Sequence, residues 1–372
     1  MNYLPDPKEY PENRLFALDL LRGLDMFYLV SLGFLYAFFQ AMGREDLKIF
    51  FATHQWGGFT LCDLIMPLFI FMCGAALPLA MTRRLDANGK PTMAFHTHVW
   101  GRFLMLWVFG MLAQGNLTSL DINKIHIYSN TLQAIAVGYV VAAYVLIVKS
   151  RLFHIAVMIA LAAFYGFYIH FSGDYSCTGN ATKPVELWVL GHLLPAGSEI
   201  LKNAPEAKYT WFLPSVMMPV ITLCGAFSTE ILLSKNWSTW KRAAILFTCG
   251  AVSVAIGFGL KALGVPMIKH FFTVSFTFAA IGYSMLLLAA LYVLADIWKL
   301  RRGTGLLLLF GQCALSAYFC KAIFFAPVRS LSERLFSGFI QFVPTAYSDS
   351  VIEVGFILLT TVLIALYRRA RR

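Results

Sequence analysis

Charge is scarce in this 372-residue chain: Asp, Glu, Lys and Arg make up 13% of it, about half the share of an ordinary soluble domain. Acidic residues are scarcer than basic ones, 19 against 30. So little charge excludes a soluble enzyme and a disordered chain, and nothing in the composition resembles a collagen-like fibre. Seven cysteines exclude a small disulfide scaffold. Cys62, Cys73, Cys224, Cys249, Cys313 and Cys320 fall in or at apolar runs, which leaves Cys177 in a polar loop with no loop partner. No Cys/His spacing matches a metal site, so no metal is expected. The chain also lacks G-x-S-x-G, P-loop, G-x-G-x-x-G and zincin motifs. That argues against an α/β-hydrolase, an ATP-driven pump and a Rossmann enzyme.

What is present is apolar length: 59% of the residues are hydrophobic. Apolar runs fall at 16–42, 59–82, 100–117, 131–149, 152–171, 211–234, 242–263, 271–297, 305–327 and 350–368. A membrane-crossing helix takes about 20 residues, and in lipid a run of this length satisfies its backbone only as a helix. The expectation is an all-α polytopic membrane protein of about ten transmembrane helices, a single domain over 1–372. The third and ninth runs are the weakest, one short with Arg102 at its start, the other holding Gln312 and Lys321. The first run is too long for the apolar part of a signal peptide and has no cleavage site after it.

Net charge is +11, and its basic residues cluster between runs, as at Arg83-Arg84, Lys241-Arg242, Arg301-Arg302 and the Arg368–Arg372 tail. That is a positive-inside pattern, not a nucleic-acid surface. It places both termini in the cytoplasm, with 1–15 a cytoplasmic segment. The connections 43–58, 118–130, 172–210 and 328–349 then face the opposite side, 172–210 being the long extracytoplasmic loop. No internal repeat of the transporter type is evident.

Ionisable residues inside membrane helices are functional candidates: Asp19, Arg22, Asp25, Asp63, Glu230, Lys321 and Glu353. Asp19, Arg22 and Asp25 are spaced by three, so they share a helix face. They read either as a self-neutralising triad or as a polar cavity wall in which Arg22 offers a fork to a phosphate or carboxylate. Thr60-x-x-Asp63 reads as a capping box or as part of a site with His54, whose imidazole at the membrane edge suits a general base or acyl carrier. Asn130 and Gln133 fit an N-cap and its third-position partner. In Pro266–Phe276, Lys269 reads as a loop lysine, His270 as a surface histidine, and Thr273 and Ser275 as hydrogen-bond donors or caps. Glu230 and Lys321 are isolated in sequence and are possible partners for one another.

The stretches Leu18-Asp19-Leu-Leu-Arg22-Gly23 and His54-Gln-Trp56-Gly-Gly58-Phe-Thr60-Leu-Cys-Asp63 through Pro67, Phe69, Phe71 and Gly74 resemble the opening of the heparan-α-glucosaminide N-acetyltransferase family. Thr131–Ala136, Pro266–Phe276 and Gly311–Tyr318 are also similar to that family, so the resemblance covers most of the chain. The sequence departs from it at Leu132-Gln133-Ala134, where members have Leu-Gln-Arg, at Gly311-Gln-Cys313 in place of Gly-x-Asn, and at Tyr209–Pro214, where members carry an acidic stretch.

The resemblance implies a membrane acetyltransferase that takes acetyl from cytosolic acetyl-CoA and delivers it to an amino sugar or related glycan on the other face. His54 would be the catalytic base or acyl carrier and Asp63 its partner. Asp19, Arg22 and Gln133 would face the CoA, and Trp56, Asn130, Lys269 and Ser275 the acceptor. The expected setting is a bacterial inner membrane. The partners are the acyl donor, the sugar and the bilayer, with a homodimer an allowed assembly and no nucleic acid. Relatives described as N-acetylglucosamine transporters supply the alternative, a carrier in which Asp19, Asp25, Glu230 and Glu353 bind sugar or protons.

Overall fold

Helices start where a small polar residue meets an apolar run. In the computed structural model, which describes residues 15–44, 46–47, 56–81, 84–86, 90–114 and 117–370, Thr92 accepts from the Phe95 amide, Asn130 from Leu132, Ser150 from Phe153 and Ser238 from Lys241. Each answers one of the orphan donors of a first turn. The helices are α1 (Phe16–Ala41), α2 (Leu61–Ala75), α3 (Leu77–Met81), α4 (Met93–Ala113), α5 (Thr131–Val145), α6 (Arg151–Ser172), α7 (Thr182–Leu193) and α8 (Glu199–Asn203). They continue with α9 (Met218–Leu233), α10 (Thr239–Ala262), α11 (Val274–Tyr292), α12 (Gly305–Gln312), α13 (Ala314–Ala322), α14 (Phe325–Ile340) and α15 (Ser348–Ala370). The extended pairing among the described residues is one isolated bridge, Leu85 to Pro91.

The chain is an all-α polytopic membrane protein. Among the described residues, seven helices are long and apolar enough to cross a bilayer: Phe16–Ala41, Leu61–Met81, Arg151–Ser172, Pro214–Leu233, Thr239–Ala262, Val274–Ile297 and Thr345–Ala370. The pair α12 and α13, bent by 79°, makes an eighth if it counts as one span. The remaining two apolar runs are also helical, as α4 and the 15-residue α5.

The chain divides into two compact units: Met1–Gln55 with Thr60–Ile65 and Leu287–Arg372, and Trp56–Phe59 with Met66–Leu286. In the first unit α1 lies against α12 at glycines. A Cβ on Gly23 would collide with the Leu307 carbonyl, and one on Gly311 with the Asp19 carbonyl. Small residues at such crossings let helix backbones meet in the absence of a hydrophobic drive between helices. The start of α1 is tied by the Asp296 carboxylate, which accepts from the Ala17 amide at 3.0 Å and pairs with Arg301 at 3.6 Å. Further along, α14 is pinned to α15 by Ser332 Oγ, which donates to the Ile352 carbonyl at 2.6 Å.

In the second unit glycines again set the crossings. Gly225 of α9 abuts the Phe71 carbonyl of α2, and Gly74 of α2 abuts Thr222 of α9. The core there holds Phe71, Tyr139, Ile221 and Phe276, each almost wholly buried. Ile159, Phe164, Phe167 and Phe171 of α6 and Phe247 and Val252 of α10 point outward, as lipid-facing side chains do.

Four expectations change. The third apolar run begins earlier, at Met93, because Thr92 caps it, so Arg102 sits mid-helix, over the Tyr139 ring at 4.6 Å, and not at a helix start. The ninth run is not one helix: it breaks between Gln312 and Ala314. Most of 328–349 is helical, as α14 and the first residues of α15. The 172–210 connection carries α7 and α8, which pack a small core of Leu190, Leu194 and Ala204.

Candidate functional site

The candidate residues fall in both units. In the first, the i,i+3 spacing brings Arg22 Nη1 to Asp19 Oδ1 at 2.8 Å. Asp19 is buried and Arg22 partly open. Asp25 does not complete a triad: it is buried as well, and its Oδ2 meets no hydrogen-bond partner among the described residues. The Asp19 carbonyl and Gly23 are the points where α12 comes closest to α1. The broken span α12–α13 therefore ends its first half against the Asp19–Arg22 turn. Discontinuous helices of this kind expose backbone polar groups inside a membrane protein.

At the start of α2, Asp63 Oδ2 accepts from the Thr60 amide at 2.9 Å and from the Thr60 hydroxyl at 2.8 Å. This is the backward half of the capping box that Thr60-x-x-Asp63 predicts. One residue away, Cys62 Sγ lies 3.8 Å from the Tyr28 hydroxyl of α1. His54 lies outside the described residues.

In the second unit, Trp56 to Phe59 is stitched onto the segment 266–276. Trp56 Nε1 donates to the Tyr175 carbonyl at 2.9 Å. Its ring stacks on His270, 5.0 Å between centroids and 20° between planes. The Gly58 amide donates to the Met267 carbonyl at 2.9 Å, with Gly58 at φ +117°, a conformation open to glycine. Phe59 lies against Phe276 and Tyr283.

The 266–276 loop is itself tightly held. Thr273 Oγ1 accepts from the Ile268 amide at 3.0 Å, and Ser275 Oγ donates to the Pro266 carbonyl at 2.9 Å. Phe272 adopts φ +49°, a left-handed conformation that a bulky side chain enters only under constraint from its surroundings. The Tyr165 hydroxyl supplies one such constraint by donating to the adjacent Phe271 carbonyl. Lys269 is half-buried in this loop and Ser275 is fully buried.

His270 is not a surface residue: it is 1% exposed, between Trp56 and the Tyr209 ring at 4.5 Å. The signal for this was Phe271-Phe272 directly after it, which draws the segment inward. From Tyr209 the aromatic contacts continue through Trp211, Tyr128 and Trp107.

Asn130 and Gln133 form a complete capping box at the start of α5. Asn130 Oδ1 accepts from the Leu132 amide at 2.8 Å, and Gln133 Oε1 accepts from the amides of Asn130 and Ser129. Gln133 Nε2 donates to the Ile127 carbonyl at 2.5 Å, so both ends of this fully buried amide hold the 127–130 loop.

Two buried charges were missed in the sequence, Lys183 and Glu186. Lys183 Nζ donates to the Ala204 and Ala207 carbonyls. Glu186 Oε2 accepts from the amides of Trp211 and Phe212 at 2.9 and 3.1 Å. Burial pushes the Glu186 carboxyl above its usual range, against the pull of those two amides, and pushes the Lys183 ammonium below its own. Lys321, in the first unit, has Phe325 and Phe356 rings at 4.5 and 5.3 Å. The carboxylate of Glu353 is held by Arg329 at 2.6 Å. Among the described residues no group of three or more His, Cys, Asp or Glu is placed to hold a metal ion.

No protein-family profile matches the chain. It is similar to the heparan-α-glucosaminide N-acetyltransferase of Mus musculus, 27% identical over 144 residues that make up 38% of this chain and 20% of that protein. It is also similar to the heparan-α-glucosaminide N-acetyltransferase of Homo sapiens, 23% identical over 344 residues, 78% of this chain and 50% of that protein. The chain spans half the length or less of these curated relatives. The resemblance seen in the motifs is thus also a measurable, distant homology.

Proposed function

We propose that this chain is a transmembrane acetyltransferase that moves an acetyl group from acetyl-CoA to an amino or hydroxyl group of a sugar on the opposite membrane face. The distant homology to N-acetyltransferases supports the reaction class. The observation that carries the site is the docking of Trp56 onto His270 and the Tyr175 carbonyl. It joins the segment that follows His54 in sequence to the loop bearing Lys269 and Ser275.

In this reading His54 is the catalytic base. The acceptor nitrogen or oxygen attacks the thioester carbonyl, its proton passes to the imidazole, the C–S bond breaks, and the proton goes on to the departing thiolate to give CoA thiol. The alternative order places the acetyl first on His54 and then on the acceptor. Arg22, held by Asp19, offers a planar cation to a phosphate of the donor. Trp56 and Lys269 contact the acceptor sugar.

Asp63, Asn130, Gln133 and Ser275 act at one remove, as positioning residues. Asp63 fixes the start of α2, and the other three fix loop shape. Holding donor and acceptor together supplies much of the rate.

The test is His54→Ala in purified protein, with acetyl-CoA and a panel of amino sugars. The expected result is retained CoA binding and thiol release reduced by about 10²–10⁴-fold, the usual worth of a positioned acid–base group. Wild-type turnover by the variant overturns the role of His54. Sugar uptake into proteoliposomes without CoA, and no sugar-dependent thiol release, would replace the transferase with a carrier.

A further inference from the structure

The first unit holds a crevice of about 430 Å³ between α1, α14 and α15, unrelated to any residue placed in the transfer reaction. Its size falls within the range of small-molecule sites. Its walls are aromatic and aliphatic: Phe34 and Phe38 from α1, Phe336 and Phe339 from α14, Val351 from α15. The exception is Ser350. Its side chain is 95% buried, lines the crevice, and its hydroxyl meets no hydrogen-bond partner among the described residues. An unanswered hydroxyl in an apolar crevice costs free energy until a ligand acceptor fills it.

Two observations say what that ligand is. The first is depth. The span Thr345–Ala370 has 26 residues, about 39 Å at 1.5 Å per residue. It therefore covers the hydrocarbon core of about 30 Å and reaches into the interfacial layer. Ser350 lies within the first turns of that span, at the boundary where the ester groups of a bilayer lipid sit, while Val351 and the phenylalanines border the hydrocarbon.

The second is access from lipid. α14 turns Leu335, Phe339 and Phe342 outward, Phe339 being 58% exposed while also lining the crevice. The crevice is thus continuous with a surface that only lipid can cover. The neighbouring cation, Arg329, already faces Glu333, Asp349 and Glu353 at 3.3, 3.6 and 2.6 Å, so it is not available to select a phosphate.

We propose that this crevice is a binding site for one acyl chain of a glycerophospholipid, whose ester carbonyl accepts a hydrogen bond from Ser350. The site reads the chain and the ester, not the headgroup. It stands independently of the acetyl-transfer reading, because the experiment measures lipid and not turnover.

Delipidated full-length protein in detergent is titrated with palmitoyl-oleoyl phosphatidylcholine, with the matching phosphatidylglycerol and with oleate, and bound lipid is counted by native mass spectrometry. The expected result is one retained phospholipid per chain, with equal affinity for the two headgroups and weaker retention of oleate. Val351→Trp, which fills the crevice, loses that lipid. Ser350→Ala weakens it about fivefold, the worth of one hydrogen bond. Phe342→Ala, on the outer face, leaves it unchanged. No retained lipid in the wild type, undiminished retention in Val351→Trp, or a preference for one headgroup overturns the proposal. If Val351→Trp does not fold, Ser350→Ala decides: unchanged affinity overturns it.

Discussion

Each unit contains a helix with an acid and a base three residues apart, and the two pairs behave in opposite ways. In the first unit Asp19 and Arg22 of α1 close on each other at 2.8 Å. In the second unit Lys183 and Glu186 of α7 each turn to backbone atoms, carbonyls for the lysine and amides for the glutamate. The same division holds more widely. The first unit buries charge in side-chain pairs: Arg329 with Glu353, Arg301 with Asp296. The second answers buried polar groups with loops, as Gln133, Thr273 and Ser275 do. The difference teaches that spacing decides which side chains can meet, while the presence of unsatisfied backbone nearby decides whether they do. α1 lies inside a span whose backbone is self-satisfied, whereas α7 lies under loops whose carbonyls and amides need partners.

The largest expected effect sharpens that comparison at glycine. Gly23→Ala pushes a methyl into the Leu307 carbonyl and is expected to cost about 3 kcal/mol, the upper end of overpacking effects. Gly101→Ala in the second unit meets nothing within 4 Å and is expected to be neutral or to stabilise by about 0.5 kcal/mol through helix propensity. Reversible unfolding in mixed micelles measures both, and equal costs would break the distinction. Next is Arg329→Ala, which leaves Glu353 buried without its cation. Removing one member of a buried pair costs about 3–5 kcal/mol. Because Arg329 is 31% exposed, about 2 kcal/mol is expected, with Glu353→Gln restoring most of it in the double variant. Failure of that rescue would mean that the arginine acts by packing on Phe325 and not by charge.

Trp56→Phe comes third. It keeps the ring over His270 but removes the donor to the Tyr175 carbonyl, at about 1 kcal/mol of stability. If Trp56 contacts the acceptor, KM for the sugar rises several-fold with kcat little changed. A fall in kcat alone would mean that the tryptophan only positions its neighbours.

Much of this was legible in the sequence, and what was legible is local. The apolar runs mark helices because lipid leaves the backbone no other way to satisfy itself. The Thr60–Asp63 and Asn130–Gln133 patterns mark caps because the groups involved lie within one turn. What escaped depends on distant partners. The break after Gln312 accompanies the close approach of Gly311 to the Asp19 carbonyl, almost the length of the chain away. His270 reads as a loop histidine until Trp56 and Tyr209 close over it. Asp25 shares a spacing with Arg22, but the arginine turns to Asp19, a choice that i,i+3 geometry leaves open in both directions.

The smallest effect concerns pH and tests the backbone side of the comparison. Glu186 is buried, and its carboxyl titrates above the usual carboxylate range. The folded state therefore binds its proton more tightly than the unfolded state. A carboxyl of this kind favours folding at low pH and loses that advantage as pH rises from the ordinary carboxylate value through the raised one. Glu186→Gln removes the charge but keeps an oxygen for the Trp211 and Phe212 amides. It should make no difference near pH 4 and protect the 172–210 segment by a small margin near pH 8. Amide hydrogen exchange at Trp211 and Phe212 reads that margin. Lys183, held below its usual value by burial, is the matching case of opposite sign: its contribution grows as pH rises toward the ordinary lysine value. If Glu186→Gln instead loosened the segment at pH 8, the ionised carboxylate would be the better acceptor, and the two amides would outweigh the burial that opposes them.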